Sequence, residues 1–303
     1  MANHIEISAL PPINALEKPS KHVTETRRIF RIFFGRKLAV VGLVFVTLLV
    51  VTAIFAPWLA PYPPDQAEML NGLQQPSWEH LLGTDSMGRD ILSRLIYGSR
   101  TSLIIGLSAV CFSAIVGEAM GLAAAHFGGF VFTIIMRFTD ALMSIPMMIN
   151  ALVIAMLLGS GLKNVIIALA IGGLAGQCRM MCGMALSIKQ NDYIVAGRSF
   201  GASDLRIMLR HILPNAFPPL LVMITMNLGM VILAEAALSF LGIGIVAPMC
   251  AWGSMVNDGY KYLLTNPVLS FAPGLTIMAV VFGFNMMGDG LRDSLDPKLR
   301  GTL

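Results

Sequence analysis

The chain has 303 residues, a net charge of +4, and 13% charged residues against 56% hydrophobic ones. A soluble domain carries about 25% charged residues, so the composition excludes an ordinary soluble protein and points to lipid as the solvent. In lipid every backbone polar group must be paired within the chain, which leaves helices or closed barrels; the apolar runs are about 20 residues long without period-2 alternation and read as helices.

Residues 1–37 are polar, carry Pro11, Pro12 and Pro19, and end in RRIFRIFFGRK. They read as a disordered tail followed by a basic anchor at a membrane surface. The first span is 38–58, too long for the apolar core of a cleaved signal peptide. The section 59–100 reads as an extracytoplasmic loop in which Asp85 or Thr84 caps a short helix from about Met87. Its Arg89, Asp90, Arg94 and Arg100 suit a solvated helix leading into the second span, or a contact for a soluble binding protein.

The second span is expected at Leu103–Ala125, ended by the turn HFGGF. Phe130–Leu158 is too long for one straight span, so the third span begins near Phe138, with a kink at Pro146. Asp140 follows Arg137 by three and is expected to pair with it. The fourth span, Val165–Leu186, is glycine-rich, which suits close helix packing. The fifth is Ala216–Leu241. After a polar loop comes the sixth, Val268–Met287, expected to end at Gly288–Gly290 and to leave a surface helix and a solvated tail.

Six spans place both termini on one side. Fifteen Lys and Arg residues lie on the side of the termini and five on the other, which makes the terminal side cytoplasmic. The segment VAGRSFGASDLRIMLRHILPN at 195–215 then lies in the cytoplasm. Asp192 is placed to cap a short helix through Ser199, Gly201 permits a turn, and Ser203 is placed to cap a second helix. That helix has Arg206 and Arg210 on one face, and Pro214 opens the next span. This helix–turn–helix is too apolar for a free loop and needs a protein partner or the membrane surface to cover it.

Glu118 and Glu235 lie within apolar spans, where a charge is costly and marks a pathway or a structural hydrogen bond; Glu118 has no evident partner. The four cysteines sit in or beside apolar runs as small buried hydrophobes, and Cys178 and Cys182 lack the further ligands a metal needs. The basic residues do not interleave with aromatics as a nucleic-acid face would. There is no GxxxxGK[ST] and no HExxH, so no ATP site of that type, no metal and no catalytic constellation is visible.

The spacing Ala196-Gly197, Gly201, then Ile212-Leu213-Pro214 resembles the EAA loop of ATP-binding-cassette importer permeases. Val195 stands where the family's Glu usually is, Gly197 where its second Ala is, and His211 at the usual Ile. GTDSMGRDILSRLIYGSRTSL (83–103), ILAEAALSFLGIG (232–244), WGSM (252–255) and FNMMGDGLRDSLDPKLR (284–300) resemble the peptide/nickel permease group. The resemblance implies an all-α integral membrane protein with six transmembrane helices and the type I importer fold. It divides the chain into a cytoplasmic tail 1–37, a first helix 38–58, an outer loop 59–100, a core 101–290 with a coupling loop 187–214, and a tail 291–303.

It also implies a bacterial inner-membrane subunit that imports peptides or, alternatively, nickel or a metal chelate. Its partners would be a second, different permease, two cytoplasmic ATPases that hold ATP and Mg, and an extracytoplasmic solute-binding protein. The ATPase-contacting residues would be Val195, Ala196, Gly197, Arg198, Gly201, Ala202, Ser203, Asp204, Arg206, Arg210, Leu213 and Pro214. A self-sufficient secondary transporter would show matched broken helices in two halves, and no such pair is evident.

Overall fold

The basic stretch before the first apolar run folds as α1 (Glu25–Gly35), which Arg36 joins to the first span, α2 (Lys37–Ile54). The computed structural model describes residues 25–295; the tail expected to be disordered and residues 296–303 lie outside the described residues. A short α3 (Ala56–Leu59) with Pro57 in its first turn closes the span at its C-terminal end.

α4 (Ile91–Phe127) is a single 37-residue helix, so the short helix expected from about Met87 and the second span are one element. Its cap is Asp90 rather than Asp85 or Thr84. The Asp90 carboxylate accepts from the Ser93 backbone N–H at 2.8 Å and from its hydroxyl at 2.7 Å. Asp85 instead closes the preceding turn, accepting from the backbone N–H of Met87 at 2.8 Å and of Arg89 at 3.0 Å.

The third apolar stretch breaks rather than kinks. α5 (Gly129–Met143) and α6 (Met147–Leu158) meet at 88°. Pro146 has no N–H and drives the residue before it out of the helical region. The carbonyls freed at Leu142 and Ile145 accept from Asn150 Nδ2 at 2.7 and 3.2 Å. The expected Arg137–Asp140 pair does not form, because α5 packs on α7 (Leu162–Ile188) and Asp140 meets Arg179 there.

α4 and α7 form the closest helix pair. A Cβ on Gly117 would come within 2.7 Å of the Leu174 carbonyl, and one on Gly121 would strike the backbone at Cys178. Gly117 and Gly121 are four apart, the small-xxx-small spacing that lets backbones touch in lipid.

After α7 come α8 (Asp192–Ser199) and the four-residue α9 (Asp204–Ile207), which runs through a π turn at Met208–Ile212 into α10 (Leu213–Phe240). The second helix expected in the loop and the fifth span are therefore continuous. The π turn follows from Pro214: lacking an N–H, it cannot bond the Arg210 carbonyl. The loop after α10 contains α11 (Trp252–Tyr260), and α12 (Val268–Leu295) forms the last span. α12 does not end at Gly288–Gly290. Gly290 packs against Ala39 and Gly288 against Met226, and beyond them Asp293 pairs with Arg36. This part of the expected solvated tail is thus packed on the N-terminal helices.

Among the described residues, five helices are long and apolar enough to cross a membrane, and α5–α6 supplies a sixth apolar length. No strand occurs among the described residues, only the isolated bridge between Thr84 and Asp90.

Candidate coupling segment and its supports

The 187–214 segment is neither a free loop nor a detached amphipathic helix. Ile194, Ile207 and Ile212 are buried among Leu122, Met181 and Leu220, so the segment's apolar side is rooted in the chain's own core. Gly201 turns the chain at φ +76, with its N–H bonded to the Arg198 carbonyl at 2.9 Å and Ala202 N–H bonded to the Gly197 carbonyl at 3.0 Å. Neither expected side-chain cap forms: Asn191, not Asp192, precedes α8, and Ser203 precedes α9 without bonding through its hydroxyl. Asp192 lies in the first turn, where its charge still suits the helix dipole.

The opposite side of the segment is bare. Val195, Ala196, Arg198, Gly201, Ser203, Asp204, Arg206, Arg210 and Pro214 are exposed, Gly197, Ala202 and Leu213 are half-buried, and Phe200 at the tip is 92% exposed. Leu205 is 64% exposed beside Arg206. An aromatic tip, small residues and three arginines make a surface suited to a protein groove with acidic groups.

Two contacts absent from the sequence reading hold this segment to the bundle. His126 Nε2 lies 2.7 Å from Asp204 Oδ1, joining the end of α4 to the start of α9. Lys189 Nζ donates to the carbonyls of Ala125 and His126 at 3.1 and 2.9 Å, a cation on the negative end of α4. The one local signal was a histidine closing an apolar run.

Glu235 is fully buried. Its carboxyl accepts from Ser239 Oγ at 2.8 Å and Ser102 Oγ at 3.3 Å, and Ser239 Oγ in turn accepts from the Ile245 N–H at 3.0 Å. These bonds tie α4, α10 and the following loop. Glu118 is half-buried, and its Oε1 meets no hydrogen-bond partner among the described residues.

Arg89, Arg94 and Arg100 are not a solvated row. Arg89 and Arg94 are buried around Asp85, whose Oδ2 lies 2.7 Å from Arg89 Nε and 3.7 Å from Arg94 Nε. Asp90 holds His80 at 2.9 Å as well as the helix cap. Only Arg100 is exposed, at the rim of a cavity of about 290 Å³ shared with Asp65 and Tyr97. Trp252 is fully buried and donates to the Leu95 carbonyl at 3.0 Å, fixing α11 to α4.

The site lies on a bundle of long apolar helices with a helical hairpin at 192–212 rooted in its core. Residues 117–301 match the family described as binding-protein-dependent transport system inner membrane component, and residues 24–76 match the N-terminal TM domain of oligopeptide transport permease C. The chain is 40% identical over 278 residues to the dipeptide transport system permease protein DppC of Alkalihalophilus pseudofirmus, covering 92% of this chain and 91% of that one. It is also 40% identical over 296 residues to the glutathione transport system permease protein GsiD of Escherichia coli, covering 97% and 96%. The inward-facing MetNI methionine ABC transporter shares the fold, with a TM-score of 0.56, 20% identity, and coverage of 68% of this chain and 98% of that one. The chain belongs to the binding-protein-dependent inner-membrane permeases of ATP-binding-cassette importers. It is a multi-pass protein of the inner membrane.

Proposed function

We propose that this permease imports short peptides, and that the 187–214 segment is the handle by which separate ATPases move it. The similarity to a dipeptide and a glutathione permease supports peptides over nickel, glutathione being itself a tripeptide. The single observation that carries the mechanical reading is the two-sided segment: isoleucines rooted in the core, and a bare face with Phe200 at its tip. A rigid element so rooted transmits a push, whereas a flexible loop would absorb it.

In this reading the termini and the segment face the cytoplasm, where two ATPases bind ATP. Their closure displaces the segment, and because α9 runs unbroken into α10, the displacement reaches the fifth span directly. A second, different permease completes the path, and a solute-binding protein delivers cargo from outside. Cargo must bind the two states differently for transport to be coupled to ATP. The divisions of the chain shift with the helices: the outer section gives way to the core at Ile91, where α4 begins, and the last span runs on to Leu295.

The testing experiment is reconstitution of the permease with its partner permease, ATPases and binding protein. The expected result is ATP-dependent uptake of dipeptides, stimulated by loaded binding protein. Uptake by this chain alone in a proton or sodium gradient would replace the reading with a secondary transporter.

A further inference from the structure

α7 runs from Lys163 at one end to Lys189 at the other, and Arg179 is the only charged residue between them. At 1.5 Å per residue α7 is about 40 Å long and Arg179 lies about 13 Å from Ile188, so a hydrocarbon core of about 30 Å centred on the helix puts it about 8 Å inside the nearer face. It pairs with Asp140 of α5, and the two side chains are 46% and 42% exposed on this chain's surface. Charges at membrane depth do not face lipid; they face protein or a water-filled path.

The surroundings select the path. One to two turns outward from the pair, Gly172, Gly173 and Gly176 of α7 border a cavity of about 260 Å³ with Met223 and Asn227 of α10. One turn inward, Gly183 is exposed with nothing near it. Ser113 of α4 and the α5–α6 break also wall the cavity, and at the break Met143, Ser144, Ile145 and Pro146 are exposed. Non-helical backbone at such depth persists where it is buried in protein or lines a water-filled cavity. A tight subunit seam would instead desolvate the ion pair at a cost its attraction hardly repays.

We propose that the Asp140–Arg179 pair lines the translocation path and receives the charged ends of a peptide in transit, Arg179 taking the carboxylate and Asp140 the ammonium. The inference rests on the peptide reading above. Between passages the two side chains neutralise each other, so neither stands bare at membrane depth. A zwitterionic peptide replaces one ion pair by two, whereas a peptide amidated at its C-terminus leaves Arg179 unpaired.

The test uses the complete reconstituted transporter in two arms. In the first, the four native cysteines are replaced by alanine, and R179C and G183C are exposed to a membrane-impermeant thiol reagent while ATP turns over. Reaction at both is expected; protection of both in every nucleotide state, as lipid or a subunit seam would give, overturns the proposal.

In the second arm, uptake of a dipeptide and of its C-terminal amide is compared at saturating binding protein. Wild type should favour the acid by about tenfold in maximal rate, the size of one charged hydrogen bond. R179Q should bring that ratio close to one, while D140N should abolish only the preference for a free over an acetylated N-terminus. Ratios that survive both substitutions, or equal loss of all substrates, overturn terminus recognition. A wild-type complex that imports no peptide overturns the peptide reading and terminus recognition together, and the thiol arm alone then decides whether the pair lines an aqueous path.

Discussion

His126 Nε2 and Asp204 Oδ1 lie 2.7 Å apart, across 78 residues of sequence, and bind the end of the second span to the first residue of the helix that becomes the fifth. His126 is buried, whereas Asp204 is exposed on the segment's outer face. The contact is thus a tie between the proposed handle and a span that is not continuous with it. Removing it with D204A should leave the fold intact and loosen the handle. A hydrogen bond contributes about 1 kcal/mol, so the ratio of seated to unseated handle should fall by about fivefold. The expected outcome is ATPase activity that persists while peptide taken up per ATP declines, measured on the reconstituted complex.

The outer cluster makes a stability prediction. D85A would leave Arg89 and Arg94 buried without their shared carboxylate. Breaking a buried pair from one side costs about 3–5 kcal/mol. The purified permease should unfold at a distinctly lower temperature, with the loss concentrated in the section before α4, as hydrogen exchange would show.

At Glu235 the two hydroxyls matter as much as the carboxyl. S239A removes one donor to the carboxylate and the acceptor of the Ile245 N–H together. Leaving buried polar groups unsatisfied costs about 1–3 kcal/mol each. S102A removes only the longer bond of 3.3 Å. Thermal unfolding should therefore rank S239A as clearly more damaging than S102A, with E235L worse than E235Q.

The α4–α7 seam should tolerate no added side chain at its centre. A Cβ at Gly121 meets backbone rather than a flexible side-chain end. Overpacking of this kind costs about 1–3 kcal/mol and sometimes more. G121A should lower the yield of folded permease in detergent, whereas G183A, where no atom lies within 4 Å, should not.

The spans were legible because their signal is compositional: long apolar runs bounded by charge, glycine and proline. What periodicity did not show was continuity and partner choice. α4 absorbed its outer prelude because Asp90 caps it in a buried cluster, and no local rule ranks Asp90 above Asp85. α12 ran past Gly288 and Gly290 because those glycines meet Met226 and Ala39, contacts set by tertiary packing. Asp140 chose Arg179 over Arg137 for the same reason: a partner 39 residues away is invisible to i, i+3 spacing. The turn at Gly201 was legible because glycine acts locally; the fifth span expected from Ala216 instead continues the helix from Asp204, and Pro214 only loosens it into a π turn.

The most direct test of the handle is a single cysteine at Phe200, the exposed tip, in a background whose native cysteines are alanine. In intact cells it should resist a membrane-impermeant thiol reagent added outside and react in inside-out vesicles. In the assembled complex it should cross-link to an ATPase subunit, with a yield that changes on ATP binding. Labelling from outside intact cells, or a tip that never cross-links to an ATPase while transport remains coupled, would contradict the account.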